Sequence, residues 1–184
     1  HGKTAENEQE LCFFAEKDGW NDVVSDMDTL HKLTAAKYPG VPYFLFGHSM
    51  GSFLTRTYII DHPEGLKGVI ISGTGQNPGA VVAAGKLMAK LEMIDNGPMY
   101  HSPTLDKLAF GSYNKKYDHV RTKLDWLTRD EAVVDAYIAH PMCGFTPTAG
   151  RLREMMKGLT YIEKPAHLEA MKKDLPVFFV AGGD

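Results

Sequence analysis

Three short runs of this chain are apolar from end to end and bounded by turn residues: Val41–Phe46 (VPYFLF), Val69-Ile70-Ile71 and Val177–Val180 (VFFV). Runs this short read as strands, and their lack of polar alternation predicts burial on both faces, as in a parallel sheet covered by helices. Between the first two lies Met50–Asp61, of helix length and ended by His62-Pro63. Strand, helix, strand is the doubly wound α/β unit, whose crossover is right-handed. Ahead of it, residues 20–38 set Trp20, Val23, Val24, Met27, Leu30 and Leu33 at the spacing of one helix face. Asp22 and Asp26 come early and Lys37 late, as the helix dipole favours, and Pro39-Gly40 ends the pattern.

The stretch 77–173 reads differently. It holds helical patterns at Ala80–Ile94, Arg129–Ala139 and Arg151–Lys157 and no convincing strand. We expect a helical insertion, 77–173, between two parts of one sheet-bearing core, 1–76 and 174–184. The chain opens without an initiating methionine and stops at Ala181-Gly182-Gly183-Asp184, directly after an apolar run, so it is expected to be an internal piece of a longer protein.

Composition narrows the function classes. With 184 residues, 43% apolar and 23% charged, the sequence is that of an ordinary globular domain. No run approaches the roughly eighteen apolar residues of a membrane helix, and no basic-then-apolar leader opens the chain. Lys plus Arg total 20 against 23 Asp plus Glu, scattered along the chain, which leaves no positive field for nucleic acid. Cys12 and Cys143 lack zinc-site spacing and fit a structural role in a reducing cytoplasm. Glu163 with His167 and His140 with Gly144 are four apart, but no third ligand accompanies them, and no metal is expected.

The motif with chemical content is Gly47-His48-Ser49-Met50-Gly51, at the junction of the first apolar run and the following helix. G-x-S-x-G in a strand–turn–helix setting holds its serine in a strained turn. The spacing predicts that a side chain at either glycine would collide with the neighbouring strand or helix. Ser49 is then lifted above the carboxyl edge of the sheet as a nucleophile, with the Met50 backbone N–H beside it to receive an oxyanion. A serine hydroxyl is weakly nucleophilic and needs an imidazole to take its proton and a carboxylate to orient that imidazole. His31, His62, His101, His119, His140 and His167 read as surface or capping residues without an acid partner, and His48 as a support within the elbow.

These residues resemble the α/β-hydrolase family of monoacylglycerol lipases, lysophospholipases and related serine hydrolases. Phe46-Gly47-His48-Ser49-Met50-Gly51-Ser52 matches that family's G-H-S-M-G-[GS] elbow. His1-Gly2-Lys3-Thr4 resembles the end of its R-G-H-G-x-S segment, with Thr for Ser. Leu127–Asp130, Asp135-Ala136-Tyr137 and Pro141–Phe145 are similar to its helical cap, and Leu175–Gly182 to the strand leading to the triad acid. The resemblance implies an α/β-hydrolase fold, a partial parallel sheet with helices on both faces and a helical cap insertion. It also implies hydrolysis of a lipid-like ester through an acyl-serine, with no cofactor. An apolar acyl pocket would draw on Leu87, Met88, Leu91, Phe110, Trp126, Met142 and Phe145.

Counted from Gly182, the family's G-x-x-D acid falls just past the last residue, with Asp184 as the acid if the turn is one residue shorter. The triad histidine comes later still and the second oxyanion donor earlier than residue 1. The 184-residue chain alone is therefore expected to be inactive and to expose sheet edges and faces. Three rival readings stand beside this one: a hydrolase fold used only for binding, an aminopeptidase or aryl esterase of the same fold, and a dinucleotide site. The last rests on Ser72-Gly73-Thr74-Gly75-Gln76-Asn77-Pro78, where Pro78 replaces the third glycine of G-x-G-x-x-G and Asp95 falls on a helical pattern.

Overall fold

The computed structural model describes residues 4, 5, 7, 10–76 and 79–183. In chain order the elements are α1 (Gly19–Lys37), β1 (Tyr43–His48), α2 (Met50–Asp61), β2 (Leu66–Ser72), α3 (Gly79–Asn96), α4 (Pro103–Phe110), α5 (Glu131–Ala139), α6 (Ala149–Ile162), α7 (Pro165–Ala170) and β3 (Val177–Val180). The chain divides into two compact units: a sheet unit, Phe14–Leu87 with Arg153–Asp184, and a helical unit, His1–Phe13 with Met88–Leu152.

In the sheet unit the strands run parallel in the order β1-β2-β3, as the apolar runs predict. Leu45, Val69 and Val177 align in one cross-strand row, and Phe46, Ile70 and Phe178 in the adjacent row, which points to the opposite face. The first face is the core. Val69 and Ile71 pack there with Trp20 and Val24 of α1 and Leu54, Tyr58 and Ile59 of α2. The second face departs from the expectation of burial on both sides: Phe44, Phe46 and Phe178 are 62%, 61% and 62% exposed. The reason is which helices are present, since α1 and α2 both pack against the Val69–Ile71 side.

The N-terminus of α1 is fixed by a distant residue. Asp18, in the left-handed region at φ 50°, gives no side-chain cap. Instead the Trp20 amide donates to Glu154 Oε2 of α6 at 3.5 Å. Glu154 is fully buried, and Arg153 and Lys157 reach its other oxygen at 2.9 and 2.7 Å. A buried carboxylate needs such partners, and its negative charge also suits a helix start. Trp20 is seated by its Nε1–H, which donates to Thr57 Oγ1 at 3.0 Å, and by Gly158, where a Cβ would collide with the indole.

Two histidines differ from their expected surface role. His31 is buried, with Nδ1 2.8 Å from the Tyr58 hydroxyl and its ring against Tyr43. His62 has an acid partner, Asp28, at 3.7 Å. A hydrogen bond from Lys32 holds the Asp28 carboxyl below its usual pKa. His140 does cap a turn, its Nδ1 accepting from the Met142 amide.

The helical unit contains α4 and α5, whose starts obey capping chemistry. Ser102 Oγ accepts from the Leu105 amide with Pro103 opening α4, and Asp130 accepts from the Ala132 and Val133 amides of α5. Asp125 anchors the turn between them, accepting from the Thr122 hydroxyl, the Thr122 amide and the Arg121 amide. Those hydrogen bonds, the Thr122 hydroxyl first, hold its carboxyl below the usual range.

Candidate active site

Parallel pairing brings the C-terminal ends of β1 and β2 side by side, and Ser49 stands at that end, between β1 and α2. Its side chain is exposed. Its backbone adopts φ 52° and ψ −119°, a region that costs a residue with a Cβ about 1–3 kcal/mol and persists only when neighbours enforce it. They do. The Ser49 amide donates to the Ser72 carbonyl at 3.0 Å, and its carbonyl accepts from the Ser52 amide at 2.9 Å and from the buried Ser52 hydroxyl.

The two glycines of the motif are unlike each other. A Cβ on Gly47 would collide with Thr55 Oγ1 and the Gly51 carbonyl, so the strand can meet α2 this closely only without one. At Gly51 a Cβ meets nothing within 4 Å, which corrects the expectation of a clash there. Its position on the open side of the first helical turn is the cause. Met50 is the first residue of α2, its side chain packed on the core, and its backbone N–H belongs to the positive end of the helix.

Residues on either side of Ser49 are engaged by the end of β2 and the segment that follows it. His48 Nδ1 lies 3.0 Å from Ser72 Oγ. On α2, Arg56 Nη1 donates to the Gly75 carbonyl at 3.0 Å and to Thr74 Oγ1 at 3.4 Å. Burial lowers the Arg56 pKa, and Glu163 opposes that shift. Ser72 and Arg56 escaped the reading of the motif; the signal was the parallel order itself, which sets the end of β2 beside the elbow. Asp95, weighed as a ribose ligand, lies on α3.

Among the described residues no imidazole hydrogen-bonds Ser49 Oγ, and Asp184 lies outside the described residues. In the helical unit Phe110 and Trp126 stack at 6.1 Å with Tyr113 edge-on to both, while Met142 and Phe145 are partly buried. Leu87 and Leu91 are exposed. A cavity of about 380 Å³ in the sheet unit is lined by Ile59, Ile71, Ile162, Val177 and Phe179 with Arg56, and does not include Ser49. Among the described residues no helix is long and apolar enough to cross a membrane.

Three solved structures share the fold. A thermostable carboxyl esterase from Bacillus coagulans, in complex with glycerol, is 26% identical, with a TM-score of 0.72 over 84% of this chain and 50% of its own. A lipase in its open form is 20% identical, TM-score 0.70, over 89% and 53%. A soluble variant of monoglyceride lipase from Saccharomyces cerevisiae, in complex with a substrate analogue, is 20% identical, TM-score 0.65, over 97% and 55%. The chain thus spans about half the length of these structures. No curated protein sequence matches it. The sequence profile of one family matches residues 4–184, nearly the whole chain: the chain is an α/β-hydrolase belonging to the serine aminopeptidase S33 family.

Proposed function

We propose that the protein hydrolyses carboxylic esters of lipid-like substrates, a monoacylglycerol or a lysophospholipid, with Ser49 as nucleophile. The observation that carries this reading is the exposed Ser49 side chain on a backbone held at φ 52° between a parallel strand and a helix start. Ser49 Oγ attacks the ester carbonyl and loses its proton to an imidazole. The carbonyl oxygen gains negative charge, which the Met50 N–H stabilises by about 3 kcal/mol, the usual contribution of one such donor. As the intermediate collapses the imidazolium returns the proton to the departing oxygen, which leaves as the neutral alcohol and leaves acyl-Ser49; water, giving its proton to the same imidazole, then attacks the acyl carbonyl, and the proton returns to Ser49 Oγ as the acid departs.

In this reading the imidazole and its carboxylate come from outside the described residues, where Asp184, the alternative acid, also falls. Residues 77–173 are the cap and 1–76 with 174–184 the core, and Phe110, Trp126, Met142 and Phe145 supply acyl contacts. The 26%-identical carboxyl esterase supports an ester as substrate. The family's aminopeptidase name favours a second reading, a peptide bond at the same serine.

Labelling of the full-length protein with a fluorophosphonate tests the nucleophile. Wild type is expected to react and Ser49→Ala not to, with hydrolysis falling at least about a thousandfold. An unlabelled wild type would instead make this a binding protein. Turnover of an aminoacyl anilide in preference to a monoacylglycerol would move the reading to the peptidase.

A further inference from the structure

The Ser72-Gly73-Thr74-Gly75 segment, whose glycines resemble a nucleotide loop, is spent on the elbow. Its first residue holds the chain just before the nucleophile twice: the Ser72 carbonyl takes the Ser49 amide at 3.0 Å, and the Ser72 hydroxyl meets His48 Nδ1 at 3.0 Å. Its last two residues are held by Arg56 of α2. Gly73 makes the approach possible. It sits at φ +56°, and a Cβ there would come within 3.1 Å of the His48 ring. Gly73 is also tied into the sheet, its amide donating to the Val180 carbonyl of β3 at 2.9 Å.

We propose that Ser72 and Arg56 are positioning residues of the hydrolase, which brace the 72–75 segment against both flanks of Ser49 and thereby fix the direction of its hydroxyl. The inference rests on Ser49 being the nucleophile. A strained backbone keeps its geometry only if the surroundings over-determine it, and small misplacement of an attacking atom is costly in rate. The hydroxyl of Ser72 meets His48 Nδ1. It acts through His48.

The test compares wild type, Ser72→Ala, Ser72→Thr and Arg56→Met in the full-length protein. It measures the fluorophosphonate labelling rate, kcat and KM for a p-nitrophenyl ester, melting temperature, and the ¹⁵N shift of His48 Nδ1. Loss of one such hydrogen bond is expected to slow labelling and kcat by about fivefold in Ser72→Ala, with KM within about twofold. The His48 Nδ1 resonance moves in Ser72→Ala, and Ser72→Thr restores both it and the rate. Arg56→Met, which keeps the stem but no donor, slows labelling in the same way. If wild type is labelled and both Ser72→Ala and Arg56→Met react as fast, the brace is overturned while the nucleophile stands. It is overturned as well if the rate falls only in step with melting temperature and leaves the His48 resonance unmoved. If wild type itself is not labelled, the assignment of Ser49 has failed first.

Discussion

The two faces of the three-stranded sheet are built from the same kinds of residue and have different fates. On one, Val69 and Ile71 are shut under α1 and α2; on the other, Phe44, Phe46, Ile70 and Phe178 meet solvent. Residue type therefore does not decide burial in these strands. The covering helix does, and the helices bring their own polar fixtures: Trp20 on Thr57, Tyr58 on Asp28 and His31, Glu154 beneath α1. Stability in the sheet unit should accordingly be concentrated on one side.

The sharpest way to break that contrast is truncation in the middle of the covered face. In the 184-residue chain Ile71→Ala, at a residue with no exposed surface, is expected to cost about 3 kcal/mol in urea melts. Next comes Gly158→Ala. Its Cβ would enter the Trp20 indole, and overpacking of this kind costs about 1–3 kcal/mol, read in the same melts with Trp20 fluorescence as the local reporter. A loss near zero would mean that Trp20 is not seated as described.

Alkaline titration probes two tyrosines on α2 and α6 that bond carboxylates. Burial first, then the hydrogen bond to Asp61, pushes the Tyr161 phenol up to about 12, and burial beside Asp28 raises Tyr58 as well. A raised folded-state pKa means that the neutral phenol is favoured by folding. The stabilisation is whole below the unfolded value near 10 and is lost as pH rises from there toward 12. Stability should therefore fall above pH 10, and Tyr161→Phe should flatten that fall. An unchanged slope in the variant would remove Tyr161 from the account.

Much of this was legible in the chain. The apolar runs located the three strands seen among the described residues, and Gly47-His48-Ser49-Met50-Gly51 located the elbow, because periodicity and glycine placement act over a few residues. The starts of α4 and α7 were also written locally, as Ser102-Pro103 and Lys164-Pro165, although their short apolar patterns concealed them. What sequence could not give depends on neighbours far along the chain. Glu154 holds α1 across 134 residues, His31 is buried because Tyr58 and Tyr43 come to it, and the clash at Gly47 exists because α2 turns back over the strand. Phe44, Phe46 and Phe178 belong to the same class, for no local pattern says which side of a strand the helices will choose.

Those phenylalanines supply the smallest and most discriminating change. Phe178→Thr removes an exposed ring from β3 and leaves a β-branched residue that suits a strand, so in the 184-residue chain the urea midpoint is expected to move by no more than about 0.5 kcal/mol. What should change is association. Phe178 lies in register with Ile70 and Phe46, a contiguous apolar row, and breaking it lowers the drive for one sheet face to meet another. Light scattering at rising concentration should show later self-association in the variant. The pair Ile71→Ala and Phe178→Thr thus differs by several-fold in stability if the second face is open, whereas equal losses from the two would mean that Phe178 is covered in solution and that the faces are alike after all.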